Sequence, residues 1–293
     1  MAHKAGFVNI IGSPNVGKST LMNVLVGERL SIITSKAQTT RHRIMGIVNG
    51  EDFQIVYSDT PGVLKPNYKL QESMMNFVHT AITDADLLLF VTDIYEDIKL
   101  EEHILNKIKH AKVPVLLLIN KIDLATQEKL EEKVAYWKTE VPHAEVIPVS
   151  ALEKFNINYS FDRILALLPE GPGYYGKDEL TDKPEKFFIS EIIREKILTN
   201  YKKEIPYSVE VVVESFKEEE KIIRIRAEIM VVRESQKGII IGHQGKALKK
   251  VGTEARKDME TFLQKQVFLE LFVKVNKDWR DSDNQLKRFG YTN

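Results

Sequence analysis

The 293-residue chain contains no cysteine. Disulfides and cysteine-ligated metals are therefore excluded, and the composition fits a reducing cytoplasm. Long apolar runs are absent too. The longest, Leu87–Val91 and Val113–Ile119, fall far short of the roughly 20 residues that a membrane-crossing helix needs. A first strand is expected from about residue 6, which leaves no space for a signal or transit peptide before it. Histidine is sparse, and the spacing of His42, His79 and His103 gives no shared ligand face for a metal. Net charge is also lacking, since 42 Lys+Arg balance 42 Asp+Glu. The balance hides an asymmetry: from Thr181 onward 23 basic residues face 19 acidic ones, a net of +4 against −4 in the rest. A mildly basic second half is compatible with a polyanion partner, and equally with ordinary charge scatter.

The length suggests about two domains, and 43% hydrophobic with 29% charged residues reads as a folded, soluble chain. Strand candidates at about 6–11, 43–49, 52–58, 86–92, 113–119 and 144–149 alternate with helical patterns at about 18–27, 68–82, 99–110, 127–138 and 158–168. Leu87–Val91 is apolar throughout, as a strand covered on both faces should be. The alternation predicts a doubly wound α/β sheet with ligands at the carboxyl ends of its strands.

The motifs fall at those ends. Gly12-Ser13-Pro14-Asn15-Val16-Gly17-Lys18-Ser19 follows the first strand and opens a helix with Thr20, matching the phosphate-loop pattern in the setting it requires. Its glycines let successive N–H groups curl toward phosphate oxygens, and the helix start adds the positive end of its dipole. Lys18 can reach the β- and γ-phosphates, and the Ser19 hydroxyl suits Mg²⁺. Asp59-Thr60-Pro61-Gly62 follows the strand Phe53–Tyr57; its carboxylate can hold Mg²⁺ through water, and Gly62 lets a backbone N–H approach the γ-phosphate. Asn120-Lys121-Ile122-Asp123 follows another strand. A carboxylate at Asp123 can accept from N1–H and the 2-amino group of guanine, donors that adenine lacks. Asn120 can bond the base edge and brace its loop, the Lys121 stem can lie along the purine, and Ser150-Ala151 can offer backbone donors to guanine O6. The long polar loop Ser35–Arg43 suggests a switch ordered by a triphosphate, with Thr40 as the residue closing over Mg²⁺ and Thr39 as the alternative.

In this order, GSPNVGKS, QTTRHR, DTPG, NKID and SA resemble the translation-factor-like GTPases of the Era and TrmE type. The resemblance implies that no glutamine follows the Asp-x-x-Gly motif; Val63 stands there. It also implies slow intrinsic hydrolysis and a role for Asn15 in placing K⁺ beside the phosphates. One departure is Glu153-Lys154-Phe155-Asn156, where relatives often carry a glycine after Ser-Ala-Leu.

Pro169–Gly176 is a breaker cluster, and residues 171–185 read as a linker between a GTPase domain at 1–170 and a second domain at 186–293. Its two tyrosines can dock on either domain. Beyond it come an amphipathic helix near 184–198, strands near 209–213 and 222–232, and Gly242-His243-Gln244-Gly245 with Lys246 opening a basic helix that carries Lys249, Lys250, Arg256 and Lys257. A strand at 269–275 closes an α-β-β-α-α-β order. A G-x-x-G turn between helices lets backbone clamp about four nucleotides; Ile239, Ile240 and Ile241 are expected to line the groove, and the lysines to meet phosphates. This order resembles a type II KH domain. Thr181-Asp-Lys-Pro184, Glu191–Ile197 and Lys274–Arg280 extend the resemblance to the Era family over nearly the whole chain. It implies binding of the 3′ end of 16S rRNA, assistance to 30S subunit assembly, Mg²⁺ as cofactor, a monomer, and a cytoplasmic location with peripheral association at the inner membrane surface as an option. Two rival readings stand beside it: an RNA chaperone in which nucleotide is a structural ligand, and a membrane-surface signalling GTPase.

Overall fold

The computed structural model describes residues 2–96 and 102–292. Two compact units emerge, residues 1–67 with 71–182, and 68–70 with 183–293.

The first unit is built on β1 (Lys4–Ile11), β2 (Ile44–Asn49), β3 (Phe53–Asp59), β4 (Leu87–Asp93), β5 (Val115–Asn120) and β6 (Glu145–Pro148), in the order β2-β3-β1-β4-β5-β6. All neighbours run parallel except β2, which pairs antiparallel with β3. The apolar run of β4 is buried at every residue, as expected of a strand with helices on both faces. The helices are α1 (Lys18–Val26), α2 (Lys69–Thr83), α3 (Glu102–Lys109), α4 (Gln127–Glu140) and α5 (Ile157–Leu167). The doubly wound sheet expected from the sequence is present. The expected first residues of α3, 99–101, lie outside the described residues.

The segment read as a linker is not free over most of its length. Gln54 Oε1 accepts the Tyr174 and Tyr175 N–H groups at 2.6 and 3.0 Å, and the Tyr174 ring lies 4.8 Å from that of Phe7. Further on, the Ile47 N–H donates to Leu180 O (2.8 Å), the Thr181 hydroxyl to Met45 O (2.7 Å), and the Met45 N–H to Asp182 Oδ1 (2.9 Å). The linker thus covers the open edge of β2, and both tyrosines dock on the first unit. An exposed edge would otherwise invite pairing with another chain.

The second unit contains α6 (Glu185–Asn200), β7 (Glu210–Glu218), β8 (Ile222–Val231), α7 (Glu234–Ile241), α8 (Lys246–Leu263), β9 (Gln266–Val275) and the short α9 (Asp283–Arg288). Its sheet runs β7-β8-β9, antiparallel then parallel, which is the α-β-β-α-α-β arrangement read from the sequence. Alternation along β8 sends Ile223, Ile225, Ala227 and Ile229 into a core with Ile193 and Ile197 of α6 and Val251, Ala255 and Met259 of α8. No helix among the described residues is long and apolar enough to cross a membrane.

Candidate functional site

At the carboxyl end of β1, Pro14, Asn15, Gly17, Lys18 and Ser19 of the phosphate loop line a cleft of about 350 Å³ together with Thr40, Gly62 and Lys121. Gly17 caps α1 at φ 95°, and a Cβ there would lie 2.2 Å from Asn120 Nδ2. A left-handed residue with no side chain is what this position requires. Gly62 is fixed by proximity instead: an added Cβ would meet Pro14 Cα at 2.7 Å. The loop after β3 therefore sits directly on the phosphate loop, and Val63 N–H donates to Gly12 O at 3.1 Å. The Val63 side chain is buried, so it presents nothing to a water molecule in the cleft.

Lys18 is buried and curls over its own loop, donating to Gly12 O (3.0 Å) and Ser13 O (2.7 Å). Burial lowers its pKa to about 8, against the opposing pull of Asp59 and Glu96. Beside it the Ser19 hydroxyl donates to Asp59 Oδ2 at 2.7 Å and lies 2.8 Å from Thr40 Oγ1, itself 3.3 Å from the same carboxylate oxygen. Burial raises the Asp59 pKa, opposed by Lys18 and by its hydroxyl partners. Asp59 Oδ1 is buried and has no hydrogen-bond partner among the described residues. A buried carboxylate oxygen without a partner is costly unless a ligand meets it, and an oxygen-rich cluster of this kind fits a hard divalent cation. Thr39 also lines the cleft, but its hydroxyl is engaged with Lys36 O (2.5 Å) and Thr34 Oγ1 (2.7 Å) and not with the Ser19–Asp59 cluster. The geometry thus favours Thr40 of the two threonines. Thr60 is buried with its hydroxyl on Ile10 O (2.7 Å), and it supports the loop rather than facing the cleft. Pro14 and Thr20 line the same cleft, Ser13 O accepts from Lys18, and Val16 is buried.

At the base end, Asn120 Nδ2 donates to Val16 O (2.9 Å) while its Oδ1 accepts the Ala151 N–H (3.0 Å). One amide thereby ties three loops, and bracing is the role its geometry displays. Lys121, at φ 63°, sends Nζ to Asn15 O (2.6 Å) and Asp93 Oδ2 (2.5 Å). Asp123 is exposed, and the Ser150 hydroxyl donates to its Oδ1 at 2.5 Å. The departure at 153–156 has a backbone meaning. Lys154 and Asn156 both adopt positive φ, at 55° and 57°, so the bends that glycine would make are made here by residues that pay some strain. Asn15 also has positive φ, 65°, and an exposed side chain. Asparagine tolerates that region, so its backbone geometry accounts for the residue type without reference to an ion.

In the second unit, Gly242 and Gly245 adopt positive φ on either side of exposed His243 and Gln244, and Lys246 begins α8 at the surface. The isoleucines before them separate. Ile239 is 49% exposed, but Ile240 is fully buried in the core, its carbonyl accepting the Tyr201 hydroxyl at 2.6 Å. The expectation that all three side chains line a groove is corrected for Ile240: a helical turn, unlike a strand, sends neighbouring side chains in different directions. A groove does lie alongside, between α8 and β9, lined by Gly245, Leu248, Lys249, Gly252, Arg256, Leu269 and Leu271 among others. Leu248, Gly252, Leu269 and Leu271 escaped sequence reasoning. The available signal was Gly252, a poor helix former set within a long basic helix.

A model of the 50S ribosome-binding GTPase family matches residues 7–121, and a KH domain model matches residues 204–280. The GTPase Era of Staphylococcus epidermidis is 44% identical over 291 residues, 99% of this chain and 97% of its own length. The chain belongs to the Era family of GTPases. A second family member, from Staphylococcus haemolyticus, is 45% identical over the same coverage. Two solved Era structures superpose with a TM-score of 0.94 at 38% identity, covering 99% of this chain and all of theirs: an Aquifex aeolicus variant bound to GDP and AlF4⁻, and an Era complex with MgGDPNP and nucleotides 1506–1542 of 16S ribosomal RNA. The GTPase model spans the phosphate loop, the loop after β3 and Asn120, and the KH model falls within the second unit.

Proposed function

We propose that this Era-family GTPase binds the 3′ end of 16S rRNA through its KH groove, assists 30S subunit assembly, and changes its hold on RNA with the nucleotide it carries. The observation that carries the reading is the coexistence, in one chain, of a hydroxyl–carboxylate cluster beside a phosphate loop and a G-x-x-G groove, in a family with a member solved with both MgGDPNP and that rRNA segment. Ser19, Thr40 and Asp59 would hold Mg²⁺. When bound, the ion supplies charge between the β- and γ-phosphates.

The protein's own groups do the rest. The Lys18 ammonium leaves the loop carbonyls for phosphate oxygens, the backbone N–H groups of 13–19 cradle them, and Gly62 brings a backbone donor to the γ-phosphate. Asp123 selects guanine. With Val63 buried, water is positioned by switch backbone, which accords with slow hydrolysis. The exposed Asn15 side chain is the group offered to K⁺. Ordering of the Thr40 loop acts on β2, the strand whose edge holds the linker through Leu180–Asp182, and so on the route to the KH domain; differential contacts of this kind are what a nucleotide switch requires.

Crosslinking with sequencing of bound RNA is the test. Crosslinks clustered in the 3′ segment of 16S rRNA, lost in a Gly242→Asp/Gly245→Asp variant that still binds GDP, are expected. Crosslinks spread over unrelated RNA would overturn the assignment, and equal RNA affinity in the GTP-analogue and GDP states would overturn the switch.

A further inference from the structure

The groove uses one face of the KH sheet. The opposite face carries an arrangement that the nucleotide and groove functions do not employ. Alternation along β8 and β9 sends Arg224 and Arg226 outward beside Phe268 and Phe272. Both rings are unusually open for phenylalanine, at 44% and 40% exposure. The Arg224 guanidinium lies 5.2 Å from the Phe268 ring centre, and that of Arg226 lies 4.4 Å from Phe272. Arg226 sits in register with Glu270 yet leans over the diagonal phenylalanine. The two pairs form a ladder of alternating cation and ring.

Among the described residues, the C-terminal segment covers the other end of this face. There the Tyr291 hydroxyl donates to Glu210 Oε2 (2.8 Å), Asn276 reaches both Met230 and Gln285, and Arg288 lies 3.5 Å from Glu214. At the open end Glu219 pairs with Arg224 at 2.9 Å and Glu218 with Lys265 at 2.9 Å; toward the covered end Lys274 pairs with Glu228. Arg226 and Lys217 have no carboxylate partner among the described residues, and Lys217 is opposite Arg224 in the ladder. The face therefore combines two flat rings and two guanidinium planes, with the exposed carboxylate of Glu270 between the rings. Bases stack on rings and on guanidinium groups irrespective of sequence, and Arg226 and Lys217 are cations that phosphates can meet.

The ladder is also continuous with the groove. Strand β9 is the sheet's outer strand; its Leu269 and Leu271 line the groove while Phe268 and Phe272 point to the other side. A strand of RNA leaving the groove meets the ladder by rounding a single β-strand. We propose that Phe268, Phe272, Arg224 and Arg226 form a second RNA contact, a sequence-tolerant stacking platform for single-stranded nucleotides flanking those clamped in the groove. The proposal rests on the RNA-binding reading of the groove and deepens it.

The test uses the full-length protein and two labelled single-stranded RNAs from the 3′ segment of 16S rRNA. One is four nucleotides long, enough for a KH clamp, and the other is about twelve. Binding is followed by fluorescence anisotropy. Phe268→Ala/Phe272→Ala is expected to weaken the longer RNA roughly tenfold or more, one lost stack being worth about 1–3 kcal/mol, and to leave the short one unchanged. Arg226→Gln, which keeps the fold and the ring, should reduce the salt dependence of the longer RNA by about one unit of slope. Photocrosslinks of the longer RNA to Phe268 or Phe272 in the unmutated protein would support the platform without any substitution. Unchanged affinity for the longer RNA, an equal loss on both RNAs, or crosslinks confined to Leu269 and Leu271 would overturn it. A Gly245→Asp variant is read in parallel: if it keeps the short RNA, the groove reading fails, and the ladder is then judged by its own variants on the longer one.

Discussion

Asn120 is the point at which three loops of the proposed nucleotide site are held in register. Its side chain joins Val16 O, in the phosphate loop, to the Ala151 N–H, in the loop expected beneath guanine. Asn120→Ala removes both bonds and leaves a carbonyl and an N–H without partners. Each such buried group costs about 1–3 kcal/mol, so the upper limit is near 6 kcal/mol. Without nucleotide the loops can part and admit water, and most of that cost then disappears from the folding equilibrium. Binding must bring them together again, so the cost is felt in affinity. A net of about 3 kcal/mol corresponds to a GDP affinity roughly a hundredfold weaker. Titration with a fluorescent GDP analogue, run beside urea melts, reads the two quantities separately. Asn120→Asp keeps an acceptor for Ala151 but sets a carboxylate oxygen against Val16 O, so it should bind GDP no better than the alanine variant. An Asn120→Ala protein with affinity within about threefold of the parent would refute the reasoning.

Other expectations follow from particular contacts. Gly252→Leu should fill the groove floor, where even a Cβ comes within 3.3 Å of Leu271; RNA affinity should fall severalfold in anisotropy titrations while helix propensity holds or raises stability by up to about 1 kcal/mol. Lys18→Ala and Asp59→Ala should each abolish measurable GTP hydrolysis in single-turnover assays without lowering RNA affinity in the absence of nucleotide. Arg163 holds the Glu145 carboxylate through three hydrogen bonds and lowers its pKa from 4.5. A lowered carboxyl contributes stability above its unfolded pKa and loses it as pH falls through the folded value. Glu145→Gln should therefore flatten the acid side of the stability curve below about pH 4.5, as read by urea midpoints.

Much of this was legible because the signals were local. Each strand of the first unit was a contiguous apolar run, and each nucleotide motif sat at a strand end where topology demanded it. The α-β-β-α-α-β order was readable from alternation in β8 and from Gly242 and Gly245. What could not be read depends on tertiary partners. Three consecutive isoleucines look equivalent in a sequence, yet the turn of α7 buries Ile240 and exposes Ile239. Pro169–Gly176 reads as a linker by composition, but Gln54, more than a hundred residues earlier, captures its tyrosines. Thr39 and Thr40 differ only in which loop atoms stand beside them. The Arg–Phe ladder needs the parallel register of β8 and β9, a pairing no local pattern encodes.

Arg43 stands between the Thr40 loop and the strand that holds the linker. It follows the loop that carries Thr40 and immediately precedes β2. Its guanidinium donates to Ser58 Oγ (2.6 Å), Asn9 Oδ1 (3.1 Å) and both oxygens of Asp84 (2.6 and 3.0 Å). The start of β2 is thereby pinned to β1, β3 and the end of α2, one or more residues before the Met45 and Ile47 amides that hold the linker. In the switch proposed above, a Thr40 loop that moves with the nucleotide meets a fixed post at this point, so transmission along β2 would work against Arg43 or through it. Arg43→Ala leaves Asn9 and Ser58 buried with lost partners; because Asp84 is 43% exposed, the ion-pair part is discounted for solvent, and about 2 kcal/mol of stability should be lost. The sharper readout is local. Hydrogen exchange at the Met45 and Ile47 amides should accelerate more than at β4 amides, and RNA affinity should respond differently to nucleotide state than in the parent. Unchanged protection at those two amides would show that β2 keeps its place without Arg43, and the route from switch to linker would have to run elsewhere.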